Sequence, residues 1–173
     1  MDGNPALWSD VAADIEAALA QTEKAEARAA RLAAERGAMP EDVAEAFELA
    51  IGSHLHDAYT ALEGAIERVV AAVDGDRPSG RDSHRRLLDR AARPVEGLRG
   101  AILPGTVRQD LAALLAFRHV FRHKYGGFTF ARAAPNVPLA ARSVPTAAAG
   151  IEEFCRGFGI APKSLPRRFA RPG

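Results

Sequence analysis

The sequence predicts an all-α fold, an antiparallel bundle of four to five helices followed by an irregular C-terminal tail. Three observations predict it. Apolar residues recur every three to four positions over two long segments. Much of the 47% apolar content is alanine, which enters a helix without losing side-chain entropy. No stretch carries the alternation of a strand, and there is no internal repeat or Gly-rich phosphate loop. The 173 residues suffice for one packed core. They divide by composition into a helical domain (1–127) and a tail (128–173).

The first helix is expected over 5–36. Pro5 suits a first turn, and Val11, Ile15, Leu19 and Leu32 make the apolar stripe. Glu23, Lys24, Glu26, Arg28 and Arg31 make the opposite face polar, and Gly37 is the expected stop. The second helix is expected over 40–73. Glu41 and Asp42 complement its positive end, and Val43, Phe47, Ile51, Leu55, Tyr59, Leu62, Ile66 and Val70 keep the 3.6-residue period. Turn-forming residues then fill 74–80. A short third helix is expected over 82–92, with Asp82 or Ser83 as cap and Pro94 ending or kinking it. The fourth starts at Thr106 as cap, carries Leu111, Leu114, Leu115, Phe117 and Phe121, and stops at Gly126-Gly127.

After Gly127 the composition changes. Residues 128–173 hold seven basic residues against two acidic ones. Pro135, Pro138 and Pro145 interrupt the pattern, leaving only 146–158 as a helical stretch. Three readings of this tail stay open: a basic arm touching a nucleic acid, a disordered appendage, or the product of a shifted reading frame.

Bulk properties narrow the function. The net charge of +1 means that nucleic-acid binding would have to rest on a local patch. Cys155 is the only cysteine, so neither an internal disulfide nor a cysteine metal cluster can form, as suits a reducing compartment. No leader-like segment opens the chain, and no apolar run approaches the ~20 residues of a membrane span. The expectation is a cytoplasmic protein.

The chemistry concentrates at the end of the fourth helix, where Arg118, His119, Arg122, His123, Lys124 and Tyr125 fall within eight residues. On a helical wheel Leu111, Leu114, Leu115, Arg118, Arg122 and Tyr125 share one face. Arg118 therefore sits within an apolar stripe, where a guanidinium is costly without a partner or a task. Glu63 and Asp57 are the candidate partners. Cations at a helix C-terminus also have an ordinary explanation, as complements of the helix dipole. His123 lies ~140° from Arg118 on an ideal helix. The two converge only if the last turn distorts or a second copy of the chain supplies one of them.

Arg118, His123 and Tyr125 together read R-x4-H-x-Y, which resembles the signature of HepT toxins within the HEPN superfamily. Upstream, the segment from His56 through Tyr59 to Glu63 is similar to the second helix of those proteins. Pro78-Ser79-Gly80 through His84 and Leu87-Leu88 is similar to their loop and short helix. The likeness runs in order over residues 5–127, and the tail departs from it. The resemblance implies a metal-independent endoribonuclease with its site built across a homodimer and no cofactor. His123 would then transfer protons, and Arg118 would hold the scissile phosphate. It also implies a type II toxin–antitoxin system, with a small nucleotidyltransferase of the MNT type as antitoxin. Tyr125 matches the tyrosine that such an antitoxin AMPylates, which would place bulk and negative charge beside the arginine. Arg122, His119, His84 and Glu63 are candidate rim residues. The alternative of another class is a non-catalytic HEPN helper that binds a nucleotidyltransferase or a nucleotide. A plain helical adaptor with an alanine-rich dimerisation face is the third reading.

Other candidates carry less. His119 and His123 have H-x3-H zinc spacing, but a metalloprotease helix needs glutamate after the first histidine and Val120 stands there. No third ligand is evident. His54 and His56 are two apart and do not face each other on a helix. Cys155 has no companion base and reads as inert.

Overall fold

The computed structural model describes residues 4–123, 129–162 and 169. Helices α1 (Pro5–Glu35) and α2 (Glu41–Asp74) form a long antiparallel hairpin, the most extensive helix pair of the bundle. Asn4 caps α1 by accepting the Leu7 N–H at 3.1 Å, and Pro5 takes the first turn. This satisfies an amide that the helix itself cannot. Val11, Ile15, Ala18, Ala25 and Leu32 on α1 enter one core with Ile51, Leu55, Leu62, Ile66 and Val70 on α2, as the 3.6-residue period requires. Leu19 is only partly buried. Gly64 lets Asp14 come close, since a Cβ there would meet Asp14 Oδ2 at 3.2 Å. Asp14 in turn accepts from Arg68 Nε at 2.8 Å.

The C-terminus of α2 is locked by an ion cluster. Arg99, in the connection after helix α3 (Ser83–Ala91), has a fully buried side chain. Its guanidinium donates to both Asp74 oxygens, at 2.6 and 2.8 Å, and to the carbonyls of Arg90, Arg93 and Gly100. All five of its N–H groups thereby find acceptors, the condition under which a buried guanidinium is tolerable. Hydrogen bonds from Arg99, against the cost of burial and with help from Arg90, hold the Asp74 carboxyl below its ordinary pKa.

Helix α4 (Arg108–His123) starts after a 3-10 turn at Gly105–Val107. Thr106 therefore lies inside that turn and does not cap the helix. Asp82 does take the cap position of α3, but its side chain makes no capping hydrogen bond.

The main correction concerns the tail. A one-turn helix α5 (Phe130–Ala133) leads into α6 (Asn136–Gly157), a 22-residue helix that packs on α1, α2 and α4. The prolines do not break it. Pro138 falls in its first turn, where the N–H would lack an intrahelical acceptor in any case. Pro145 lies inside and removes one i→i−4 donor. Nearby, Ser143 and Thr146 donate their hydroxyls to the carbonyls of Leu139 and Arg142, each at 2.7 Å. Burial of Ala140, Val144, Ala147, Ala148, Ile151 and Cys155 offsets the loss. The core is thus continuous across the expected boundary at residue 127. Of the basic-arm residues, Lys163, Arg167, Arg168 and Arg171 lie outside the described residues. Among the described residues no helix is long and apolar enough to cross a membrane.

Candidate active site

Three helices bring polar side chains to one place. Helix α2 supplies Tyr59, Thr60 and Glu63, which fall within a single turn and so share a face. Helix α3 supplies His84, and α4 supplies Arg118 and His119.

Arg118 is buried, in keeping with its place in the apolar stripe. Its partner is Glu63: Nη1 lies 3.2 Å from Glu63 Oε2. Nε donates to Thr60 Oγ1 at 3.2 Å, and the guanidinium carbon stands 6.0 Å from the centre of the Tyr59 ring. Asp57, the other candidate partner, instead pairs with its neighbour His56 at 3.0 Å. Glu63 is itself buried and uses its second oxygen as well. His84 Nδ1 is 2.9 Å from Glu63 Oε1, so a carboxylate from α2 joins side chains of α3 and α4. The His84 ring meets His119 edge-on, with centroids 5.8 Å apart. Burial first, and then the Glu63 carboxylate, raise the Tyr59 phenol well above its ordinary pKa, with Arg118 opposing. Tyr59 therefore stays a neutral wall of the site.

Of the residues picked out from sequence, Arg118, Glu63, His84 and His119 converge. Arg122 does not: it is exposed on α4, one turn beyond Arg118. It shares the face of the apolar stripe, but its place in the last turn of the helix leaves it facing solvent. The side chain of His123 and the whole of Tyr125 lie outside the described residues. Thr60 and Tyr59 were not selected as site residues from sequence. The available signal was their spacing of three and four from Glu63.

A basic surface adjoins α3. Residues 77–108 hold eight arginines against three acidic residues; Arg99 is buried on Asp74, and of the other seven, Arg77, Arg90 and Arg108 pair with Glu67, Asp74 and Asp89. Arg77, Arg86, Arg90 and Arg93 line a surface pocket of about 370 Å³ together with Asp76 and Asp89. Among the described residues no three His, Cys, Asp or Glu side chains gather as a metal site would need. Cys155 is fully buried. Burial, with Glu152 adding, pushes its thiol up to about 12, which suppresses the reactive thiolate.

A family model described as HepT-like protein matches residues 50–158. The chain belongs to the HepT-like family. The matched span opens within α2, contains all six residues of the cluster, and continues to the end of α6. It therefore takes in most of the segment that composition alone sets apart as a departure from HepT proteins. Helix α1 precedes it. No curated protein and no solved structure matches the chain.

Proposed function

We propose that this HepT-like chain is an endoribonuclease and the toxin of a type II toxin–antitoxin pair, active as a homodimer. The observation that carries the reading is Arg118. It is a guanidinium fixed by Glu63 and Thr60 at the meeting of three helices, with two histidines beside it, on the family's R-x4-H-x-Y spacing. Its fixed orientation suits a phosphate ligand, because planar donors held in place lose little freedom on binding. In the reaction the ribose 2′-oxygen attacks phosphorus, the P–O5′ bond breaks, and the products are a 2′,3′-cyclic phosphate and a 5′-hydroxyl. One group takes the 2′-OH proton and another protonates the departing 5′-oxygen. His123 is assigned to one of these roles and Arg118 to the charge on phosphorus. The arginine-rich surface beside α3 supports RNA as the substrate, since phosphate contacts supply most non-specific affinity.

Restraint falls to a nucleotidyltransferase antitoxin that transfers AMP from ATP to the Tyr125 hydroxyl, releasing pyrophosphate. Expression of wild type is expected to arrest growth and degrade RNA, and His123→Ala to do neither. Equal toxicity of the two would contradict the catalytic assignment.

One observation favours the non-catalytic helper. Arg118 is mostly buried and its charge is already countered by Glu63, which is also how a structural ion pair would look. Nucleotide or nucleotidyltransferase binding by protein that leaves every RNA intact would decide for that reading.

A further inference from the structure

We propose that His84, oriented by Glu63, is the general base that takes the proton from the RNA 2′-hydroxyl, so that each chain brings a base of its own to Arg118. This inference rests on the RNA-cleaving reading above. The geometry behind it is that of an imidazole set by a carboxylate. Glu63 Oε1 is 2.9 Å from His84 Nδ1, and a carboxylate only accepts. A neutral His84 must therefore carry its proton on Nδ1, which leaves the Nε2 lone pair as the basic site. The Glu63 side chain is 8% exposed and that of His84 is 38% exposed, so the orienting group is sheltered while the imidazole reaches solvent. The same carboxylate holds Arg118 through its other oxygen. Base and phosphate ligand are thereby fixed relative to each other by a single side chain. That is the arrangement by which an orienting group, a base and a charge-stabilising donor act as one unit.

A purely structural His84 would have the task of satisfying buried Glu63. Arg118 already supplies a countercharge, and the exposure of the imidazole is more than that task needs. The chemistry agrees. Attack by a 2′-hydroxyl requires a base and an acid at separate positions, and the R-x4-H motif offers one histidine per chain. With His84 as base, the motif histidine His123 is left for the leaving 5′-oxygen. Among the described residues, the titratable groups in contact with His84 are Glu63 from α2 and His119 from α4, and Arg118 shares the Glu63 carboxylate. Arg85 and Arg86 flank it on α3 itself.

The test uses full-length protein and an RNA substrate in single-turnover cleavage. His84→Asn keeps a donor at the Nδ1 position and removes the base. The expected result is a loss of about 100-fold or more at unchanged thermal stability. A substrate with sulfur at the 5′ leaving position needs no proton on departure. It is expected to restore His123→Ala and leave His84→Asn slow. Cleavage by His84→Asn within twofold of wild type would overturn the proposal, and so would its rescue by the sulfur substrate. In either case the RNA reading survives if Arg118→Lys is inactive. Wild type that cuts no RNA would overturn both. Should His84→Asn fail to fold, ¹⁵N shifts of the wild-type imidazole decide: a protonated Nδ1 and bare Nε2 are expected, and the opposite tautomer contradicts the assignment.

Discussion

Arg118 Nη1 lies 3.2 Å from Glu63 Oε2 across the α2–α4 interface, with only 10% and 8% of the two side chains exposed. Each charge is there on the strength of the other. Breaking a buried pair by removing one partner costs about 3–5 kcal/mol, while replacing both with apolar groups is often neutral. Glu63→Leu and Arg118→Met are each expected to lower stability in urea denaturation by roughly 3 kcal/mol. The double variant is expected to recover most of that loss. Additive losses in the double variant would mean that the two charges are not coupled.

Close approach of α6 is governed by Gly150. A Cβ at this position would collide with the Pro104 ring, whose Cγ would lie 2.8 Å away. A proline ring has little room to yield, so α6 itself must move. Gly150→Ala is expected to lower stability by about 1–3 kcal/mol, the usual range for overpacking. Pro104→Ala in the same chain should restore much of it. A stable Gly150→Ala chain would contradict the packing described for α6.

His54 links α1 to α2. Its Nε2 accepts from Arg28 Nε at 3.0 Å, and its Nδ1 lies 2.7 Å from Gln21 Oε1. Burial, and then the charges of Arg28 and Lys24, lower its pKa, with Asp57 opposing. The folded state therefore favours the neutral ring. Its contribution to stability is present above the unfolded histidine value, about 6.5, and is lost as pH falls through the lower folded value. NMR titration should place the His54 midpoint below that of an unfolded histidine, and His54→Gln should flatten this part of the stability profile. A midpoint above the unfolded value would reverse the sign and refute the account.

Much of this architecture was legible from residue spacing. The stripes on α1 and α2 gave the hairpin, and Arg118 within the leucine stripe of α4 announced a buried partner, with Glu63 one of two choices. Helix α6 is harder to read, because Pro135, Pro138 and Pro145 interrupt its pattern. Ala140, Val144, Ala147, Ile151 and Cys155 already carry the helical repeat, and tertiary burial outweighs the cost of Pro145. The meeting of His84 with Glu63 joins residues 21 apart in sequence. It depends on how α3 folds back over α2, which no local pattern encodes. The role of Arg99 is illegible for a similar reason, since its five acceptors come from three separate stretches of chain.

The central claim is that the Arg118 cluster cleaves RNA. Purified chain incubated with RNA in the presence of EDTA, followed by analysis of the product ends, tests it most directly. The account predicts 2′,3′-cyclic phosphate and 5′-hydroxyl ends from wild type, and a loss of at least about 100-fold in an Arg118→Lys variant that remains folded. Intact RNA with wild type, or equal cleavage by folded Arg118→Lys, would contradict it.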